Sequence, residues 1–167
     1  MSDAPPRRAT LDVWCDLQCP DCGTALEDIR ALRARYGDSL VIELRHFPLD
    51  KHKHATAAAQ AAEEAFAQGK GWPYVEAVLG RVQELTDQGE TALVQVAREL
   101  GLDANEVDTA LIDGRHFLIV DADLAEGRAI GVTGTPTYVV GGTRFDGGKS
   151  QRGLREKVED AIDRLLA

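Results

Sequence analysis

The chain has 167 residues, 44% of them hydrophobic and 28% charged, a balance that fits one soluble domain with a sizeable core. A formal net charge of -9 argues against a nucleic-acid surface, and no segment approaches membrane-spanning length, so neither nucleic acid nor membrane insertion is expected. Three cysteines are too few for a disulfide-stapled scaffold: one pair can form and one thiol is left over.

Residues 1–9 read as a disordered tail. Met1–Thr10 has no apolar stretch of the kind a secretory signal needs, and the run after Arg7-Arg8 is short and interrupted by Asp12. The expectation is a cytoplasmic protein, or an exported one if a leader has been trimmed. A first strand is predicted over Thr10–Asp16. A helix follows from about Pro20 to Tyr36, with Leu26, Ile29, Leu32 and Tyr36 at helical spacing and Gly37 as its stop. Leu40–Phe47 is a second strand, closed by Pro48.

From His54 to about Gly131 the pattern is helical. Helices are predicted over Ala55–Gln68, over roughly Trp72–Leu85, and over Thr91–Leu100 with an apolar face at Leu93, Val96, Ala97 and Leu100. Asp103 and Glu106 form a capping-box pattern for a short helix ending near Gly114, and Phe117–Ile130 supplies the last of this block. Thr137–Val140, Gly141-Gly142 and Thr143–Asp146 then read as a hairpin. Gln151–Ala167 closes the chain as a helix with Leu154, Val158, Ile162 and Leu165 on one face, and Lys149, Arg152 and Arg155 on its solvated side. Gly147-Gly148 reads as a turn. The expected fold class is α/β: a small mixed sheet flanked by helices.

The chemistry concentrates in Cys19-Pro20-Asp21-Cys22, between the first strand and the first helix. There the first cysteine lies beside the free N–H groups and positive end of the helix, which stabilise a thiolate. The second cysteine comes one helical turn later and can close a disulfide with the first. Such a pair is suited to exchanging disulfides with other molecules. A second signal is Gly131-Val132-Thr133-Gly134-Thr135-Pro136-Thr137, a plausible cis X–Pro site ahead of a strand. A cis bond would open the N–H and C=O of Thr135 to an extended peptide.

Together, Cys19-Pro20-Asp21-Cys22 after a strand and Gly131–Thr137 before a hairpin resemble the DsbA-like members of the thioredoxin fold. Asp12–Pro20 is similar to that family's approach to its active site, with Asp16 three residues before the first cysteine, and Phe47–Ala55, continuing to Trp72, to the start of its helical insertion. The resemblance covers roughly residues 10–167, as one domain with the insertion at about 52–114. It implies a thioredoxin-like fold with Cys19 as nucleophile, Cys22 as resolving thiol, Pro20 and Asp21 within the active-site motif, and a cis Thr135-Pro136 bond facing the pair. It implies substrates that are protein thiols or disulfides or small thiols, with the redox partner unspecified. No metal or organic cofactor is expected, the Cys19–Cys22 disulfide being the redox group.

Two positions depart from the family pattern. Many members carry an acidic residue six positions before the first cysteine, where this chain has Val13; Asp12 beside it should face the other side of the sheet. Asp21 stands where the strongly oxidising relatives carry His, and a carboxylate disfavours the Cys19 thiolate, so a milder redox poise is expected. A trimmed leader aside, a reducing compartment would make such a pair a reductase or a redox sensor.

Other readings use the same residues. Cys15, Cys19 and Cys22 have the C-x3-C-x2-C spacing by which radical S-adenosylmethionine enzymes hold an iron–sulfur cluster, on frames that resemble partial (β/α) barrels. A zinc site would need histidines, but His46, His52, His54 and His116 lie outside paired-ligand spacing, and His52 and His54 read as exposed residues at a helix start. Cys15 reads as a small strand residue, with a side disulfide to Cys19 as the alternative. Trp72, Phe66 and Tyr74 read as core of the helical part. A redox-modulated peptide-binding module would keep the fold without the enzyme, and glutathione-dependent isomerases and transferases related to the fold usually replace one or both cysteines.

Overall fold

The computed structural model describes residues 4–147 and 153–167. Four strands, β1 (Ala9–Cys15), β2 (Leu40–His46), β3 (Thr137–Val140) and β4 (Thr143–Asp146), form one sheet in the order β2-β1-β3-β4. β1 runs parallel to β2 and antiparallel to β3, and β3 and β4 make the hairpin. Of the predicted tail, residues 1–3 lie outside the described residues; Ala9 belongs to β1, paired with Leu40 and buried. Pairing with β2 overrides the reading that started the strand at Thr10.

Strand alternation sorts β1 onto two faces. Leu11, Val13 and Cys15 belong to the larger core, which holds α1 (Pro20–Tyr36) and α8 (Leu154–Leu166) through Ile29, Leu32, Val158 and Ile162. Trp14 points the other way and packs with Phe47 and Val132 beneath α7 (Phe117–Ala129). There a Cβ on Gly127 would come within 2.8 Å of Trp14 Cζ3, so this approach of helix to sheet needs glycine. Arg45, opposite Trp14 in the β1–β2 register, lies 4.7 Å over the indole ring and bonds Asp123 of α7 at 3.0 Å. Asp12 shares that face, 3.9 Å from Arg45, as the alternation predicts. His46, buried at the end of β2, joins its Nε2 to Glu63 of α2 (Ala55–Ala67) at 2.7 Å, tying the sheet to the helical block.

Between β2 and α7 lie α2, α3 (Gly71–Leu79), α4 (Val82–Gln88), α5 (Glu90–Glu99) and α6 (Ala104–Asp113). The single helix predicted over Trp72–Leu85 is two helices. Gly80, a weak helix former, ends the first, and Arg81 leaves helical geometry at φ -133° to start the second. The capping box at α6 is half formed: Asp103 accepts from the Glu106 N–H, but the Asp103 N–H donates to Gln68 Oε1 and Glu106 turns to Arg115. Tyr74 is fully buried, whereas Phe66 and Trp72 sit partly buried in an edge-to-face pair 6.2 Å apart.

The last helix is described from Leu154. Gln151, Lys149, Arg152 and Gly148, read as helix, solvated face and turn, lie outside the described residues. Leu165 is 44% exposed, lying beside the Gly141 turn, while Leu166 takes the place against the core. Arg155 is drawn to Asp28 of α1 at 3.6 Å, where solvation alone was expected. A sheet of four strands with a single parallel pair is not the barrel frame on which the iron–sulfur reading relied.

Candidate active site

β1 and β2 are parallel, so the loops leaving their carboxyl ends meet on one side of the sheet, where ligands gather in open α/β structures. The β1–α1 loop runs Asp16-Leu17-Gln18 and delivers Cys19 as the N-cap of α1, with Pro20 in the first turn where its missing N–H costs nothing. Cys22, one turn on, folds under the helix start; it is 0% exposed against 5% for Cys19. All three cysteines are free thiols.

The Thr135-Pro136 peptide bond is cis, and Thr135 C=O faces the Cys19 thiol, Sγ to O 3.8 Å. Their separation of 116 positions in sequence is closed by the β1–β3 pairing, with Trp14 opposite Thr137. The predicted site residues Cys19, Asp21, Thr135 and Pro136 line one open groove of about 290 Å3, and Cys22 lies buried behind it. Gly147 closes the end of this groove: its N–H donates to Pro136 O at 2.8 Å, and a Cβ there would stand 2.6 Å from the same oxygen.

Asp16 holds the two loops together. Its carboxylate is 1% exposed and accepts from the Gln18 N–H (2.8 Å), from the Leu49 N–H (2.8 Å) and from His52 Nδ1 (2.6 Å). Its backbone oxygen accepts from the Cys19 N–H at 3.0 Å. Gln18 adds a second tie, with Oε1 accepting from the His54 N–H at 2.7 Å. His52 is therefore a half-buried anchor of the site's loops rather than the exposed residue its sequence position suggested. Sequence reading also missed other lining of the groove, Leu49 and Lys51 from the loop after β2 and Asp146 of β4, which pairs with Thr137. The usable signal was Pro48: it ends β2 and turns the following residues back over the end of the sheet.

Among the described residues, no group of three or more His, Cys, Asp or Glu side chains is placed to hold a metal ion. The thiols act on one another in a row, Cys22 with both Cys15 and Cys19. Burial, then the contact with Cys15, pushes the Cys22 thiol well above its ordinary value. With both thiols reduced, the contact with Cys22 and then burial also raise Cys19, while the Thr135 side chain and the Cys22 backbone N–H pull it down. Cys19 is the less enclosed of the two and sits at the helix start, where free N–H groups favour a thiolate. A sulfur that lines the groove, backed by a fully enclosed one, can attack an incoming disulfide first and be attacked from behind second.

The sequence pattern of the thioredoxin family matches residues 3–160. A curated relative, the Na(+)/H(+) antiporter NhaA of Herminiimonas arsenicoxydans, is 35% identical over 150 residues, which is 90% of this chain and 23% of that protein. The chain thus spans about a quarter of the length of the curated relatives it matches. A thioredoxin-like oxidoreductase from Silicibacter pomeroyi DSS-3 superposes with a TM-score of 0.79 at 25% identity, over 96% of this chain and 87% of that one. MdbA, a thiol-disulfide oxidoreductase from Corynebacterium diphtheriae, shares the fold at a TM-score of 0.72 and 19% identity, covering 95% and 85%. No helix among the described residues is long and apolar enough to cross a membrane. The chain belongs to the thioredoxin family, with the fold shared by these two structures.

Proposed function

We propose that the chain exchanges a Cys19/Cys22 dithiol–disulfide pair with protein or small-thiol substrates through a mixed disulfide at Cys19. The observation that carries this reading is the stack at the head of α1: Cys19 lining an open groove, Cys22 buried behind it, and Thr135-Pro136 forming the facing wall. The Cys19 thiolate attacks a substrate disulfide and releases one substrate thiol. Cys22 then attacks Cys19, the Cys19–substrate bond breaks, and the second substrate thiol leaves. The pair is oxidised and the substrate reduced; run backwards, the same steps oxidise a substrate dithiol. The disulfide is the redox group, and neither metal nor organic cofactor enters the cycle. A substrate segment lies extended along Thr135, with Leu49 and Lys51 on its other side.

Insulin reduction by the wild type but not by Cys19→Ser is the expected result. Equal failure of both proteins would leave a peptide-binding module in place of the enzyme.

Asp21 sets the poise of the pair. It stands in the first turn of α1 and lines the groove with Cys19, so its negative charge competes with a thiolate for the helix start. Equilibration with glutathione should therefore find Asp21→His more oxidising than the wild type, about 30 mV for each 1.4 kcal/mol of thiolate stabilisation gained. An unchanged potential would remove Asp21 from the redox chemistry.

A further inference from the structure

Resolution of a mixed disulfide sets a proton problem. While Cys19 is bonded to substrate, its sulfur cannot take the Cys22 proton, and Cys22 is 0% exposed, so water does not reach it directly. Position 13, beneath the pair on the same face of β1 as Cys15, is valine and has no proton to exchange.

Directly across the ladder from Val13 stands Tyr138. Opposed residues of an antiparallel pair share a face of the sheet, so the phenol projects to the side covered by α1. Tyr138 is 2% exposed, and its Oη is buried with no hydrogen-bond partner among the described residues. Interiors seldom leave a hydroxyl in that condition without a water or a function. The groups that act electrostatically on it are Cys15 from β1 and Cys22 and Asp28 from α1. Asp28 leads outward: its side chain is 21% exposed and lies 3.6 Å from Arg155 of α8. Glu27, Glu156 and Glu159 also act on that carboxyl; burial raises it most, and Arg155 opposes the rise. Cys15 is the remaining titratable neighbour of the hydroxyl, and at 2% exposure it opens no way to solvent.

We propose that Tyr138 and Asp28 carry the Cys22 proton to solvent during resolution, with Tyr138 relaying it and Asp28 exchanging it. The relay rests on the mixed-disulfide reading above. The Cys22 S–H proton passes to Tyr138 Oη as the phenolic proton passes, over one bridging water, to the Asp28 carboxylate. The freed sulfur electron pair forms the Cys22–Cys19 bond, the Cys19–substrate bond breaks, and the substrate leaves as a thiolate that takes a proton from solvent. The cysteine pair is oxidised and the substrate disulfide reduced. In the reverse direction Asp28 supplies the proton that quenches the Cys22 thiolate.

The test is a single turnover of reduced full-length protein with oxidised glutathione, quenched with acid and read by intact mass, across pH 5–9. Tyr138→Phe, which removes one oxygen, and Asp28→Asn at the helix surface should each slow resolution by about tenfold or more at neutral pH. Their resolution rates should climb with pH toward the wild-type rate, formation of the mixed disulfide should stay within about twofold of wild type, and the double variant should be no slower than the slower single one. A purely structural part for Tyr138 would shift the melting temperature without altering the pH profile of resolution. Wild-type resolution rates and profile in Tyr138→Phe, or in Asp28→Asn should the first fail to fold, overturn the relay while leaving the mixed-disulfide reading intact. A wild type that forms no mixed disulfide overturns that reading and the relay with it.

Discussion

Cys22→Ser is expected to stop the protein at a covalent complex with its substrate. Cys19 lines the groove and Cys22 is enclosed, so an incoming disulfide meets Cys19 alone. Once the Cys19–substrate bond has formed, release in the wild type is intramolecular, driven by a sulfur already held against it. Serine keeps the size and hydrogen bonding of the side chain but cannot form the second S–S bond. Release then waits for an external thiol, and loss of the intramolecular step should lengthen the life of the complex roughly 1,000-fold or more. Mixing the variant with a small aromatic disulfide should release one thiol per protein and leave an adduct that dithiothreitol reverses. The wild type should release two thiols and retain no adduct. Cys15 provides the informative failure: it is buried, absent from the groove lining, and acts on Cys22, so prompt release in Cys22→Ser would mean that Cys15 can move into the resolving position. Adding Cys15→Ala would then restore the trap.

The parts of this site that were legible in the sequence are those whose causes are local. Pro20 at the start of α1 and Gly37 at its end, with φ 50°, are punctuation that acts within a turn, and the helix begins and ends where they stand. Gly141 and Gly142, at φ 55° and 78°, mark the hairpin in the same way. The thiol pair was legible because helix start and cysteine spacing are both short-range. What stayed hidden depends on residues that meet only after folding. Nothing near Gln18 indicates that its carbonyl oxygen will accept from the His54 N–H, and nothing near Leu49 that its N–H will find Asp16. His52 looked exposed because it stands at a turn before a helix start, yet its ring nitrogen is taken up by a buried carboxylate. The break at Gly80 was missed for a related reason: apolar periodicity continues across it through Val78 and Leu85, and the chain turns where that pattern gives no sign. The orphaned Tyr138 hydroxyl is the extreme case, since only the register of β1 against β3 sets it opposite Val13 and near the thiols.

Asp16→Ala should destabilise the protein by roughly 3 kcal/mol or more and disable exchange by disordering both sides of the groove. The carboxylate accepts three hydrogen bonds in a place almost closed to water. Alanine would leave the Gln18 and Leu49 N–H groups without their acceptor, and an unsatisfied buried donor costs about 1–3 kcal/mol. It would also release His52, and with it the loop that carries Lys51, from the β1–α1 loop. Asp16→Asn separates charge from hydrogen bonding: one amide oxygen is kept, but the NH2 group must face at least one of the same donors. It should therefore recover only part of the loss. His52→Ala removes a single donor and spares the backbone groups, so it should cost about 1 kcal/mol. The ordering Ala at position 16 worst, Asn intermediate and His52→Ala mildest is the signature of a carboxylate that organises both loops, and urea denaturation midpoints at constant m value read it directly. Equal midpoints for wild type and Asp16→Ala would mean that the loops hold their geometry without the carboxylate. In that event Cys19 would owe its position to α1 and the sheet alone, and exchange activity should survive the substitution.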